Sequence, residues 1–451
     1  MKTFLKLHKI PLLIFLSCCA FYLAFAYDLE RTDFFKLLTL YGGLFFLSWK
    51  FFRMQRSNLN ILLAAAIIFR LLFLFAIPNL SQDFYRFIWD GKLLLEGISP
   101  YLMTPDQYFS SGSIPIAGAK ELYQGMGSLS AGNPTNYPPL NQLWFALAAL
   151  IGGKSILASV IWLRIFIIAA DIGIFYFGRK LLKNLNLPES NIFLYLLNPL
   201  ILIELTGNLH FEGVMLFFLI AALYLLQRQK GLFSALLFSC SILVKLIPLM
   251  FLPLLFRRLG WKKALGYYML TGGVVLLFFL PFLSDVFAEN FFASIGLWFQ
   301  KFEFNASFYY LIRWIGYQVE GYNIIGYAGP ALAAVVFLLV LVLSSLKRNS
   351  DMKGLLTSMM FAMVIYLLLA TTVHPWYLAT PLLLSVFTRY KFVQVWSLMV
   401  VLSYFAYSQL EYEENLWLIV LEYSVVLGVL LYEVFSKRAQ RFPAESVKSS
   451  R

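Results

Sequence analysis

Apolar runs broken by short charged turns recur from one end of the chain to the other. Runs of about 17 to 25 residues are long enough to cross a bilayer as helices. The pattern predicts crossings near 10–27, 34–50, 59–77, 155–178, 190–206, 211–227, 231–246, 247–257, 263–284, 328–346, 355–372, 375–388, 392–409 and 416–435. That is an all-α polytopic membrane bundle of about fourteen helices, some short or broken, with both ends on one side. "SILVKLIPLMFLPLLFRR" places a lysine and two prolines where the chain should turn at membrane depth. Non-helical backbone survives there only when protein covers it or it lines a wet cavity, so the pattern implies a cavity. The segment "PPLNQLWFALAALIGG" (138–153) is short for a crossing and reads as a helix returning into the outer leaflet. It closes a large first outer loop, 78–154, carrying juxtamembrane helices. A second outer segment, 285–327, contains "IGLWFQKFEFNASFYYLIRWIGY", whose interleaved aromatic rings and charges suit an interfacial helix. Residues 1–436 read as one transmembrane domain and 437–451 as a disordered polar tail.

Composition agrees. Of the 451 residues, 61% are hydrophobic and only 13% charged, with a mean hydropathy of +0.76. The net charge of +13 does not imply nucleic acid, because the basic residues cluster in alternate turns. Lys50/Arg53/Arg56, Arg179/Lys180/Lys183, Arg257/Arg258/Lys262/Lys263 and Lys437/Arg438/Arg441 fall on one side. Asp28/Glu30/Asp33, the acidic stretch from Ser81, Asp285/Glu289 and "EYEEN" (411–415) fall on the other. The positive-inside rule then puts both termini in the cytoplasm. The basic start, apolar core and "AFA" ending at Ala26 also imitate a cleavable leader; cleaved or not, the following helices keep this orientation. Cys18, Cys19 and Cys240 all lie inside predicted spans, where they read as packing residues.

The unusual polar residues gather on the outer side. In "SQDFYRFIWDG", Asp83, Arg86 and Asp90 are spaced to share one helix face. One carboxylate would then face a substrate while Arg86 pairs with the other, the competing reading being a surface salt bridge. "LTGNLHFEG" (205–213) joins two spans with almost no loop, and neither His210 nor Glu212 is needed for the turn. They are candidate sugar or acceptor contacts, with Asn208 and Tyr101 beside them; a packed, hydrogen-bonded histidine is the rival explanation. Lys245, at the broken helix pair, is placed to hold a lipid phosphate or simply to snorkel outward. His374, in "TTVHPWYL", is a second candidate phosphate ligand, and Arg86 a third. Arg70, Arg164, Asp171 and Glu204 lie within spans and should find partners across helices. "NAS" at Asn305 matches a glycosylation acceptor, a common triplet.

"QDFYRFIWDGKLLLEGISPY", "NYPPL", "NPLILIELTGNLHFEG", "LVKLIPL" and "HPWYL" together resemble the multi-span glycosyltransferases of the GT-C class. The likeness is to polyprenyl-phosphate-mannose-dependent mannosyltransferases, including the glycosylphosphatidylinositol mannosyltransferase I group and bacterial relatives, over about residues 80–380. It implies transfer of a single sugar, mannose, from a polyprenyl-phosphate donor to a lipid-linked or glycan acceptor. It also implies an acidic catalytic base in the first outer loop, Asp83, with Asp90 as second candidate. Two departures stand out: two extra helices precede the acidic loop, and "SQD" replaces two aspartates separated by one residue, so metal use does not carry over. No cofactor is required by these residues, and a divalent metal is left open. The chemistry needs a base for the acceptor hydroxyl and positive charge for the departing phosphate. One base with direct attack implies inversion at the sugar carbon. The absence of an endoplasmic-reticulum retrieval tail leans toward a bacterial inner membrane with the site on the periplasmic side. The rival readings are a polymerase or ligase using a diphosphate-linked oligosaccharide, and a lipid flippase. The long acidic loop and the absence of repeat symmetry argue against the flippase.

Overall fold

In the computed structural model, which describes residues 2–408 and 412–436, the chain is helical throughout. One isolated parallel bridge, Phe304 to Thr372, is the sole extended pairing among the described residues. The tail expected to be disordered lies outside them.

Among the described residues, six helices are long and apolar enough to cross a membrane: Lys9–Tyr27, Ile156–Asn184, Trp261–Phe282, Ile325–Ser344, Met352–Leu369 and Leu416–Phe435. The pair Glu189–Leu196 and Ile201–Gly207, bent by 63°, would make a seventh. Phe34–Gln55 is as long but carries Lys36, Lys50 and Arg53 on its surface. The chain is thus a polytopic membrane protein, though several predicted crossings are built from pieces. The run 247–257 resolves into two tight 3₁₀ turns, Ile247–Phe251 and Pro253–Leu255. The run 375–388 becomes Pro375–Leu378 followed by Ala379–Ser385. The cause is the same in both: Pro248, Pro253 and Pro375 remove amide donors from short stretches that cannot then continue as regular helices.

Residues 78–154, expected to form the first outer loop, supply much of the site's scaffold. Asp83–Leu95 packs along Pro139–Gly152, the predicted returning helix, with Phe87 stacked on Phe145 at 4.4 Å between centroids. Gly91 permits this approach, because a Cβ there would collide with the backbone of Phe145 and Ala146. Gly91→Ala is therefore expected to lower stability by about 1–3 kcal/mol through overpacking. Thermal unfolding in detergent would show it; an unchanged midpoint would mean that the two helices can part freely.

The segment 285–327 forms Asp285–Gln300 and Phe308–Val319. The latter turns Leu311, Trp314, Ile315 and Val319 outward, as an interfacial helix should. Asn305 is wholly buried and its side-chain amide donates to Glu422, so the "NAS" triplet presents no acceptor surface.

The charged groups inside spans find partners on other segments. Arg70 pairs with Asp171 at 2.7 Å. Glu204 accepts from the Tyr404 hydroxyl and the Asn208 amide. Arg164 departs from the expected ionic pairing: it donates to the carbonyls of Leu74, Thr206 and Gly207, each within 2.9 Å. It thereby ties down the end of Ile201–Gly207, which is wound as a π-helix, a form that concentrates at functional sites.

Candidate active site: two chambers meeting at Asp83

Two cavities meet against residues 78–154. One, about 400 Å³, is rimmed by hydroxyls and amides including Ser81, Gln82, Ser130 and Asn133, together with Arg31, Tyr407 and Tyr412. The other, about 540 Å³, is lined mainly by apolar side chains of the 3₁₀ turns after Lys245 and of Ile325–Ser344, among them Leu249, Met250, Val336 and Val340. Asp83, Asn136, Tyr137, His374 and Trp376 line both.

Asp83 opens the helix Asp83–Leu95, so its carboxylate lies at the positive end of the helix dipole. It is half-buried. Burial raises its carboxyl above the ordinary aspartate range, Lys245 and Arg31 draw it back, and Glu212 opposes them. Asp90, two turns further along the same helix, has a different fate. It is fully buried, paired with Arg86 at 2.7 Å, and accepts from the Gln142 amide at 3.1 Å. It lines neither cavity, and the second candidate base is structurally a brace. Arg86 lines the polar chamber and braces the loop, its Nε donating to Asp90 and its Nη1 to the carbonyls of Ser130 and Asn133, while its Nη2 is buried without a hydrogen-bond partner among the described residues.

Lys245 interrupts its helix with extended backbone (φ −149°, ψ 142°) and enters the apolar chamber. Its ammonium pairs with Glu212, whose side chain is wholly buried, and lies 5.6 Å from the centre of the Tyr137 ring. Glu212 therefore anchors the cation instead of facing a sugar. His210, Trp376, His374 and Phe304 form a continuous ring stack with centroid separations of 3.7, 4.4 and 4.9 Å. Burial, with Lys245 and Arg31 nearby, holds His374 down to about 3; burial, Lys245 and His374 keep His210 well below its usual value. Both imidazoles are therefore neutral at pH 7, and His374 can offer a phosphate a hydrogen bond but no charge.

His210 lies outside both chambers and supports Trp376 from behind. The turn that delivers it holds buried Leu209 at φ +66°, a left-handed conformation costly for a leucine. Asn208 is used internally, accepting from the Leu80 amide at 3.2 Å. Tyr101 also acts at one remove: its hydroxyl donates to the carbonyl of Tyr137 at 2.7 Å and its ring packs edge-on against Phe282, Phe287 and Phe291.

Several lining residues went unread in the sequence, Arg31, Tyr407 and Tyr412 among them. Arg31 comes from the first outer turn, and Tyr407 and Tyr412 from the last. The one available signal was a single cation in the otherwise acidic "DLERTD" turn. Among the described residues, no group of three His, Cys, Asp or Glu side chains is gathered closely enough to hold a metal ion.

The chain is 22% identical over 344 residues to alpha-(1->6)-mannopyranosyltransferase A of Mycobacterium tuberculosis, covering 71% of this chain and 63% of that protein. It is 28% identical over 192 residues to alpha-(1->6)-mannopyranosyltransferase B of Corynebacterium glutamicum, covering 37% of this chain and 29% of the relative. The matched parts thus span less than two thirds of either relative's length. Residues 22–259, more than half of the chain and including Arg31, Asp83, Glu212 and Lys245, match the family model described as the N-terminal domain of alpha-(1->6)-mannopyranosyltransferase, and the chain belongs to that family.

Proposed function

We propose that the protein transfers a single mannose from a polyprenyl-phosphate donor to a glycan or glycolipid acceptor at the outer face of a bacterial inner membrane. The observation that carries this reading is Asp83, held between a polar chamber and an apolar one with a cation entering the latter. The apolar chamber suits an isoprenoid chain whose phosphate is drawn to Lys245, with His374 as a neutral hydrogen-bonding partner. The polar chamber, with its amides, hydroxyls and aromatic rings, suits the saccharide acceptor. Mannose and the 1→6 linkage come from the relatives' names.

Asp83 takes the proton of the acceptor hydroxyl as that oxygen attacks the anomeric carbon. The bond from that carbon to the phosphate oxygen breaks, and polyprenyl phosphate leaves with the electron pair, its negative charge met by the Lys245 ammonium. Direct displacement inverts the anomeric configuration.

The test is transfer by purified protein from synthetic polyprenyl-phosphate mannose to an α-mannoside, with the product's configuration read by NMR. An inverted mannoside is expected. A product that keeps the donor's configuration would rule out direct displacement. Transfer only from a diphosphate-linked oligosaccharide would favour the polymerase reading, and movement of unmodified lipid across vesicles the flippase.

A further inference from the structure

Apart from Arg86, which is paired with Asp90, the two chambers each contain a cation from a different part of the chain, and the proposed reaction uses only one of them. Arg31 lines the polar chamber and not the apolar one; Lys245 lines the apolar chamber and not the polar one. Their surroundings differ. Lys245 is anchored by its ion pair with Glu212. Among the described residues no carboxylate forms an ion pair with Arg31, whose guanidinium carbon sits 3.4 Å from the centre of the Tyr407 ring. Its Nε is buried without a hydrogen-bond partner among those residues. The stacking holds the planar fork in one orientation, and a guanidinium so held matches the oxygens of a phosphate or carboxylate better than a lysine does. Among the described residues, Asp83 is the one carboxylate lining that chamber.

We propose that Arg31 is a specificity-determining residue that binds an anionic group, a phosphodiester or a carboxylate, carried by the acceptor. The inference rests on assigning the polar chamber to the acceptor and adds the acceptor's charge. A saccharide ring set against Tyr407, Tyr412 and Trp376 would place its anionic substituent at the guanidinium while a free hydroxyl meets Asp83. The departing phosphate belongs to the other chamber and the other cation.

The test is binding without donor. Wild-type protein in nanodiscs of zwitterionic lipid is titrated with methyl α-mannoside, its 2-phosphate and carboxymethyl α-mannoside, each with a free 6-hydroxyl, followed by saturation-transfer NMR. At least one anionic probe is expected to bind about tenfold more tightly than the neutral one, the worth of one charge-assisted hydrogen bond, and this preference should weaken with salt. Which probe wins separates phosphate from carboxylate. Arg31→Gln should remove the preference, Arg31→Lys should restore part of it, and the double variant Lys245→Gln/Glu212→Gln, which strands no buried carboxylate, should leave it intact. The proposal is overturned by equal affinities in wild type, by no anionic binding at all, by a preference that survives Arg31→Gln, or by one that depends on Lys245. It is also overturned if Arg31→Gln shifts only the pH profile of transfer, which would make the residue a modulator of Asp83. Because no donor is present, failed transfer by wild type would count against the reaction while leaving an Arg31-dependent preference in place.

Discussion

Asp83→Asn is expected to lower mannosyl transfer by about 10²- to 10⁴-fold, the range over which a positioned general base contributes, with the folded protein recovered in wild-type yield. The substitution is nearly isosteric, and the carboxylate is half-buried with no ion pair of its own among the described residues, so little stability depends on its charge. Asp90→Asn makes the contrast. It removes the partner of buried Arg86 and should reduce the amount of folded protein before it reduces turnover per molecule. The base must be ionised to act. Since burial raises the Asp83 carboxyl from its ordinary value, the acid limb of the rate profile should lie above the usual aspartate range near pH 4, activity rising as pH increases through it. Initial rates at matched folded protein across the acid range check both points. Transfer at the wild-type rate by the Asp83→Asn variant would remove Asp83 as the base.

What the sequence made legible was mostly local. Asp83, Arg86 and Asp90 lie within two helical turns, so spacing alone was enough to foresee that one carboxylate would pair with the arginine and leave the other facing a cavity. Sidedness carried further than periodicity: placing Asp83, Lys245 and His374 on the same side of a bilayer brought together residues that are far apart in sequence. The Glu212 partnership with Lys245 and the stacking of His210 on Trp376 depend on how helices pack laterally, and apolar run length carries no information about that. Arg31 and Tyr407 illustrate the same limit, since their contact joins the first outer turn to the last. The short spans failed for a different reason. An apolar stretch of a dozen residues looks the same whether it crosses the bilayer or folds back as 3₁₀ turns, and the prolines at 248, 253 and 375 mark a break without giving its direction.

The largest structural effect is expected from Arg70→Met, which should destabilise the fold by about 3–5 kcal/mol, as breaking one side of a buried ion pair does. Arg70 and Asp171 are 2% and 3% exposed at the side chain, so neither can turn to water when its partner is lost. Arg70 also donates to the carbonyls of Ala66 and Leu196 at 2.9 and 2.8 Å, and Leu196 ends the first half of the bent pair that leads to Glu204 and the strained turn at Leu209. One residue therefore joins three segments beneath the site. The double variant Arg70→Met/Asp171→Leu should recover most of the loss, because it removes the stranded charge along with its partner and leaves an apolar contact between the two helices. Thermal unfolding of the two single variants and the double gives the coupling directly. A double variant as unstable as the sum of the singles would mean that the carbonyl contacts, and not the ion pair, hold the bent helices in place.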